Sequence, residues 1–389
     1  MKRLLSLCCA LLLLGAACLP IRAEARADAR ADARADDRAD TRVDQPQLSV
    51  SAAAAILVEP VTGAVLYEKN ADERLPMAST TKIMTALVAL EALPLSQKVT
   101  IPAEACGVEG SGIGLIPGEE LTLEDLLWAI LLESANDAAT AAAIAVSGSV
   151  STFADRMNEK AAEMGLKDTH FVNPHGLDDE AHYTTARELA VIASRAMENA
   201  DFRRMVSAVR HEIPKPEGTR HLINHNRLLR ECPGVNGVKT GFTKRSGRCL
   251  VTSAERDGVD LIAVTLKDPD DWRDHRALYD AAFPRCRRVT LAVEGGIAFP
   301  VPCVGSEKGA VSAVNREGLS TVFLDGVPEI RTVLETKRLL FPPVNPGDVI
   351  GRVTFQTAEG EEIGALDLTA EETVPAPEPP KGLWKKLFG

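Results

Sequence analysis

Met77-Ala78-Ser79-Thr80-Thr81-Lys82 places a hydroxyl and an amine three residues apart, just before a run with helical spacing, Ile83, Met84, Leu87, Val88 and Leu90, that stops ahead of Pro94. The spacing predicts a helix start on which Ser79 and Lys82 share one face. A serine hydroxyl becomes a useful nucleophile only when a neighbouring base takes its proton, and a neutral lysine amine within hydrogen-bond reach is such a base. Lysine ordinarily titrates near ~10.4, so neutralising it at pH 7 takes roughly 4 kcal/mol, which burial in an apolar face and a second cation nearby would supply. Taken alone, the same spacing also reads as a serine N-cap followed by a solvated lysine. Partners elsewhere in the chain have to decide.

Upstream, Ala53, Ala54, Ile56 and Val58, then Val61, Gly63, Val65 and Tyr67, read as two strands turning through Glu59 to Gly63, so the nucleophile's helix follows a sheet. Downstream, Gly and Pro dominate between Thr100 and Glu120, a loop near the site. Thr122-Leu123-Glu124-Asp125 is a box-like helix start, and Leu123, Leu126, Leu127, Ile130 and Leu131 make the apolar face behind it. The helix breaks at Glu133-Ser134-Ala135-Asn136 before an Ala-rich helix that runs to about Val146. Such a break aims a hydroxyl and an amide into a cleft, although Asn136 by itself reads as a helix cap. Residues 151 to 210 read as helices around Thr169 to Asp178, where Pro174 and Gly176 give His175 a turn setting and a structural role in a loop.

From Gly234 the period changes to two. Val235 to Gly241, Arg248 to Ala254 and Leu261 to Leu266 read as antiparallel strands. Lys239-Thr240-Gly241 closes the first of them; a lysine there is suited to an anionic substrate and lowers the proton affinity of Lys82 by like-charge repulsion, while Gly241 lets a second backbone come close. From Val289 to Val374 short β segments with Gly and Pro turns make a separate β domain without a catalytic constellation.

The 389 residues, 45% of them hydrophobic, suffice for two domains with cores of their own, and a formal charge of -11 without a basic patch speaks against nucleic-acid binding. Lys2 and Arg3, the apolar run Leu4 to Leu19 and the small residues around Ala23 and Ala25 read as a secretory signal over residues 1–25, hence an exported protein. Arg26, Arg30, Arg34, Arg38 and Arg42, interleaved with Asp28 to Asp44, would stack like charges in a helix, so residues 26–47 read as a solvated linker. Five cysteines follow the signal, Cys106, Cys232, Cys249, Cys286 and Cys303, an odd number without C-x-x-C spacing. They point to no zinc site and leave room for one structural bridge. No cofactor motif stands out. At the far end, residues 375–389 are a Pro-rich spacer and a tail with Leu383, Trp384, Leu387 and Phe388 on one face, as in a segment lying on a membrane surface.

Ser79-x-x-Lys82, Ser134-x-Asn136 and Lys239-Thr240-Gly241, in that order, form the set shared by β-lactamases and penicillin-binding proteins. In Met77 to Lys82, Ser134-Ala135-Asn136, Asn173-Pro174-His175-Gly176-Leu177, Gly237 to Gly241 and Gly247-Arg248-Cys249-Leu250, the chain resembles the low-molecular-mass penicillin-binding proteins, the serine D-alanyl-D-alanine carboxypeptidases of peptidase family S11. The resemblance covers roughly residues 47 to 285. It implies an α+β fold, a transpeptidase-like antiparallel sheet packed with a helical subdomain (residues 48–288), followed by a small all-β domain (289–374).

The resemblance also implies roles. Lys82 would take the proton of Ser79, which attacks the bond between the last two D-alanines of a peptidoglycan stem peptide. Ser134 would relay the proton and Asn136 would hold the substrate amide. The N–H groups of Ser79 and Phe242 would form the oxyanion hole, Lys239 and Thr240 would hold the terminal carboxylate, and β-lactams would trap the acyl-enzyme. The family places an arginine after the sheet to assist with the carboxylate, and Arg273 and Arg276 compete for that position. A secreted serine β-lactamase, an endopeptidase acting on cross-links and a non-catalytic wall-binding protein are the alternatives. The first lacks an assignable glutamate for a deacylating water, and the last leaves the joint presence of the three motifs unexplained.

Overall fold

The computed structural model describes residues 48–377; the signal, the Arg/Asp linker and the amphipathic tail lie outside the described residues. Among the described residues no helix is long and apolar enough to cross a membrane. In chain order the first part contains the strands β1 (Ala54–Val58), β2 (Val65–Lys69), β3 (Lys98–Thr100), β4 (Glu120–Thr122), β5 (Arg210–Pro214), β6 (Thr219–Ile223), β7 (Val235–Thr243), β8 (Gly247–Arg256) and β9 (Val259–Leu266). Five of these form one antiparallel sheet in the order β2-β1-β9-β8-β7. The helices are α1 (Lys82–Ala92), α2 (Leu123–Leu132), α3 (Asn136–Ser147), α4 (Val150–Glu163), α5 (Ala186–Glu198), α6 (Ala200–Ser207), α7 (Leu228–Glu231) and α8 (Asp271–Ala282).

The sheet divides two cores, which explains why its inner strands are mostly apolar on both faces rather than alternating. Ile56, Val251, Ile262 and Val264 point into the core shared with the helices α1 to α6. Ala55, Leu57, Leu250, Leu261 and Ala263 point to the other face, where Leu278 and Tyr279 of α8 cover them. Helix α2 starts with the expected capping box, Thr122 and Asp125 each bonding the other's backbone N–H. Helix α1 differs from an amphipathic surface helix: Lys82 to Ala89 are all buried, because α2 to α5 surround it. Ser79 does not stand on α1 either. It lies in a 3-10 turn, Ala78–Thr81, that leads into the helix.

The remaining strands are β10 (Cys286–Ala292), β11 (Ala298–Pro302), β12 (Ala310–Asn315), β13 (Leu319–Leu324), β14 (Ile330–Thr336), β15 (Val349–Thr357) and β16 (Glu362–Ala370). They form a β10-β13 ribbon and a five-stranded antiparallel sheet, β11-β12-β16-β15-β14, over a core of Val301, Val311, Ala313, Ile350, Val353, Phe355 and Leu368. Strand β10 begins at Cys286, three residues before the boundary read at Val289, and Cys286 itself packs under α8. All five cysteines of the described region are free thiols, so the single bridge for which the sequence left room does not form among them.

Candidate active site

The turn that carries Ser79 is held from several sides. Thr80 Oγ1 donates to Met77 O at 2.6 Å and Thr81 Oγ1 to Ala78 O at 2.8 Å. His182 Nδ1 accepts the Val172 N–H at 3.1 Å. Its proton therefore sits on Nε2, which donates to Thr81 Oγ1 at 2.7 Å. Ala78 has φ +48°, a left-handed conformation that a side-chain-bearing residue adopts only when its surroundings enforce it. Below it runs the Asn173 to Leu177 loop. Gly176, at φ +89°, passes so close that a Cβ there would lie 1.9 Å from Ala78 O.

Lys82 is fully buried under Ser79. Its Nζ lies 2.9 Å from Ser79 Oγ, 2.7 Å from Asn136 Oδ1 and 2.6 Å from His175 O. Burial first and the charge of Lys239 second push its pKa well below the ordinary lysine value, with Asp137 opposing them. A neutral amine satisfies this geometry completely: two N–H bonds go to Asn136 and His175, and the lone pair faces the Ser79 hydroxyl. The ring of His175 plays no such part; burial, then Lys82, lower its pKa to about 3.

Asn136 is the first residue of α3, not its cap. Its Nδ2 donates to Glu109 O at 2.5 Å, which turns its oxygen toward Lys82. The neighbouring Asp137 accepts the N–H groups of Ile113 and Leu115. Arg220 binds Ile113 O, Gly114 O and Glu119 from the other side, so the 109–116 loop is a fixed wall. Ser134 sits in the α2–α3 break at φ +61°, and its Oγ is buried without a partner. An unpaired buried hydroxyl costs about 1–3 kcal/mol.

Strand β7 forms the opposite wall, with Lys239 and Gly241 turned toward the helices. Lys239 is buried, donates from Nζ to Thr240 O at 3.0 Å, and is lowered to about 7 by burial, against the pull of Glu133. A Cβ on Gly241 would stand 3.1 Å from the Ser79 and Thr80 nitrogens, tight enough to push the strand off the turn, so glycine is what lets the two backbones meet. Thr240 and Phe242 face the other way, and the Phe242 side chain is 66% exposed.

The two arginines read from the sequence both lie on α8. Arg273 pairs with Asp270 and Asp274 on its own helix, and Arg276 pairs with Glu231 of α7. Sequence reasoning also missed the His175 carbonyl and the His182–Thr81 pair. The first is a backbone group without a side-chain signature; the second joins residues 101 positions apart.

A serine beside a buried lysine whose pKa is held well below its usual value, on a turn lining a helix–sheet cleft, marks the molecule as a serine peptidase of the penicillin-binding class. The chain belongs to the S11 peptidases, the D-alanyl-D-alanine carboxypeptidase family, whose sequence pattern it matches over residues 39–270. It is 32% identical to the D-alanyl-D-alanine carboxypeptidase DacF of Bacillus subtilis over 337 residues, covering 84% of this chain and 86% of that one. It is 31% identical to DacC of Escherichia coli over 361 residues, 84% and 85% of the two chains. Among solved structures it resembles penicillin binding protein 5 from Haemophilus influenzae, with 27% identity and a TM-score of 0.67 across 86% of this chain and 99% of that one.

Proposed function

We propose that the protein is an exported D-alanyl-D-alanine carboxypeptidase that trims peptidoglycan stem peptides through an acyl-enzyme on Ser79. The observation that carries this reading is the 2.9 Å approach of the buried Lys82 amine to Ser79 Oγ. Lys82 accepts the Ser79 proton as Oγ bonds to the carbonyl carbon of the penultimate D-alanine. The oxyanion is received by the N–H groups of Ser79 and Phe242, a reading supported by the close approach of the Gly241 backbone to the Ser79 nitrogen. As the C–N bond breaks, the leaving D-alanine amine takes a proton passed from Lys82 through Ser134, whose unpartnered hydroxyl suits such a relay. Asn136 keeps Lys82 in place and offers its amide to the substrate, while Lys239 and Thr240 bind the terminal carboxylate. Water, deprotonated by Lys82, then hydrolyses the ester. A β-lactam acylates Ser79 likewise, but its leaving nitrogen stays tethered, so the adduct persists.

The test is incubation of the mature chain with a fluorescent penicillin, followed by denaturing electrophoresis and intact mass, with Ser79→Ala alongside. A stable adduct on the wild type alone, and D-alanine release from a D-Ala-D-Ala peptide, is the expected result. Rapid penicillin turnover without an adduct would make the protein a β-lactamase, and neither would leave a wall-binding protein. The amphipathic tail suits attachment to the outer face of the cytoplasmic membrane, which vesicle flotation of the full chain against one ending at Pro380 would check.

A further inference from the structure

The edge of the β part carries an apolar surface that its own core does not use. Beyond β14, residues 337–341 run alongside the end of β11. Leu340 N donates to Pro302 O at 2.8 Å and Val304 N to Leu340 O at 3.0 Å, and Cys303 pairs with Leu340 in a parallel bridge. Cys303 and Leu340 both point into the core. Side chains alternate along an extended chain, so Leu339 and Phe341 on one segment and Val304 on the other stand on the outward face. They are 45%, 69% and 48% exposed. The two segments stay together past the bridge, since a Cβ on Gly305 would lie 3.7 Å from Pro342.

Positive charge borders this patch. Lys337 and Arg338, immediately before Leu339, are exposed, and among the described residues neither has an ion-pair partner. The described residues also end here. Val374 and Val344 exchange both backbone hydrogen bonds at 2.9 Å in an antiparallel bridge, so the chain after Val374 heads back past Pro343 and Pro342 toward Phe341. Pro377 is the last described residue. Lys381, where the amphipathic tail begins, follows four residues later, a reach of at most about 14 Å.

Two occupants suit an apolar patch in this place: the tail itself, or the surface to which the tail is read as binding. Charge decides between them. The tail carries Lys381, Lys385 and Lys386 and the patch is bordered by Lys337 and Arg338, so the two repel one another and both attract an anionic surface. Exposed Phe and Leu beside unpaired basic side chains suit the interface of a bilayer.

We propose that Val304, Leu339 and Phe341, with Lys337 and Arg338 at their border, form a second contact with an anionic lipid surface, which seats the β part on the bilayer beside the tail. This rests on the reading of the tail as a membrane segment. Tethered by the tail, the patch meets lipid at the high effective concentration that a short linker gives. One contact lets the enzyme swivel on its spacer; two give the β part a fixed face toward the membrane.

Flotation is measured with vesicles of phosphatidylglycerol and phosphatidylcholine, and of phosphatidylcholine alone. The proteins are the full mature chain, Leu339→Ser with Phe341→Ser, Phe341→Trp, Lys337→Gln with Arg338→Gln, and the chain ending at Pro380. Partitioning onto anionic vesicles should fall about 10- to 100-fold in the serine pair, the size expected for withdrawing two apolar side chains from lipid. It should hold in Phe341→Trp, because Trp suits the interface. The glutamine pair should lose about 10-fold on anionic vesicles and change little on phosphatidylcholine. Tm should stay unchanged throughout; if the serine pair lowers it, the glutamine pair decides, and wild-type partitioning there overturns the proposal. A serine pair within two-fold of the full chain, with binding lost in the chain ending at Pro380, would also overturn it and leave the tail as the sole anchor. The reverse pattern would overturn the reading of the tail and keep the patch. No flotation of the full chain on either vesicle would overturn both, and self-association abolished by the serine pair would then assign the patch to a second copy of the chain.

Discussion

The part of the chain up to α8 and the β part that begins at Cys286 both pack around apolar cores, yet they bury polar groups to opposite ends. Among the described residues, the polar side chains buried beyond Cys286 are Asn315 and Thr354. Asn315 is fully used: Nδ2 donates to Val293 O and Glu317 O, and Oδ1 accepts the Ile297 N–H, all within 2.8 Å. Before α8 the buried set includes Lys82, Lys239, Ser134 and Asn136, two amines displaced from their ordinary pKa and a hydroxyl without a partner. Polar burial in the β part ties a loop. In the first part, at Lys82, Lys239 and Ser134, it costs stability, which fits groups retained for chemistry.

The comparison breaks most readily at Ser79. Ser79→Ala should lower D-alanine release by at least about 10⁴-fold without lowering Tm; residual release near the wild-type rate would move the nucleophile elsewhere. Asn136→Ala and Asn315→Ala then form a matched pair. The first should reduce kcat/KM by about 10²–10³-fold, the second should leave kcat/KM within two-fold and destabilise the β part by about 1–3 kcal/mol, read by denaturant unfolding. A reversed pattern would erase the distinction between the two parts.

A finer test uses pH. The proposed mechanism requires Lys82 neutral and Lys239 charged, so kcat/KM should fall as acid protonates Lys82 and fall again as pH rises through the Lys239 value of about 7. Its stability counterpart has a definite sign. Between about 7 and ~10.4 the unfolded chain holds a proton that folded Lys239 has lost, so this residue makes stability rise with pH there. Lys239→Met should flatten that rise and be more stable at pH 7 by roughly 1–3 kcal/mol, while losing activity. The smallest effect belongs to Ser134→Gly, expected to raise stability by about 0.5–1 kcal/mol at a positive φ while slowing acylation.

What the sequence makes legible follows from where the physics is local. The Thr122–Asp125 box, the period-two strands and the Ser79–Lys82 spacing are all set within a few residues. The spacing is blind to whether the turn is 3-10 or α, since both bring residue i near i+3, and it gives no sign that α1 is buried all round. The cleft itself is non-local: 54 residues separate Lys82 from Asn136, and 93 separate it from the His175 carbonyl. The register of the β7–β8 hairpin is likewise non-local in its effect: the Thr243–Gly247 pairing that closes it sets which residues of β8 stand opposite Lys239 and Gly241.

The gap between Gly176 and Ala78 is narrower than one methyl group. The loop bearing the carbonyl that holds Lys82 and the turn bearing Ser79 are therefore locked back to back, and neither retreats without the other. An ester formed on Ser79 would therefore stay within reach of the Lys82 amine, so an attacking water would meet the acyl carbon and the base in a fixed arrangement.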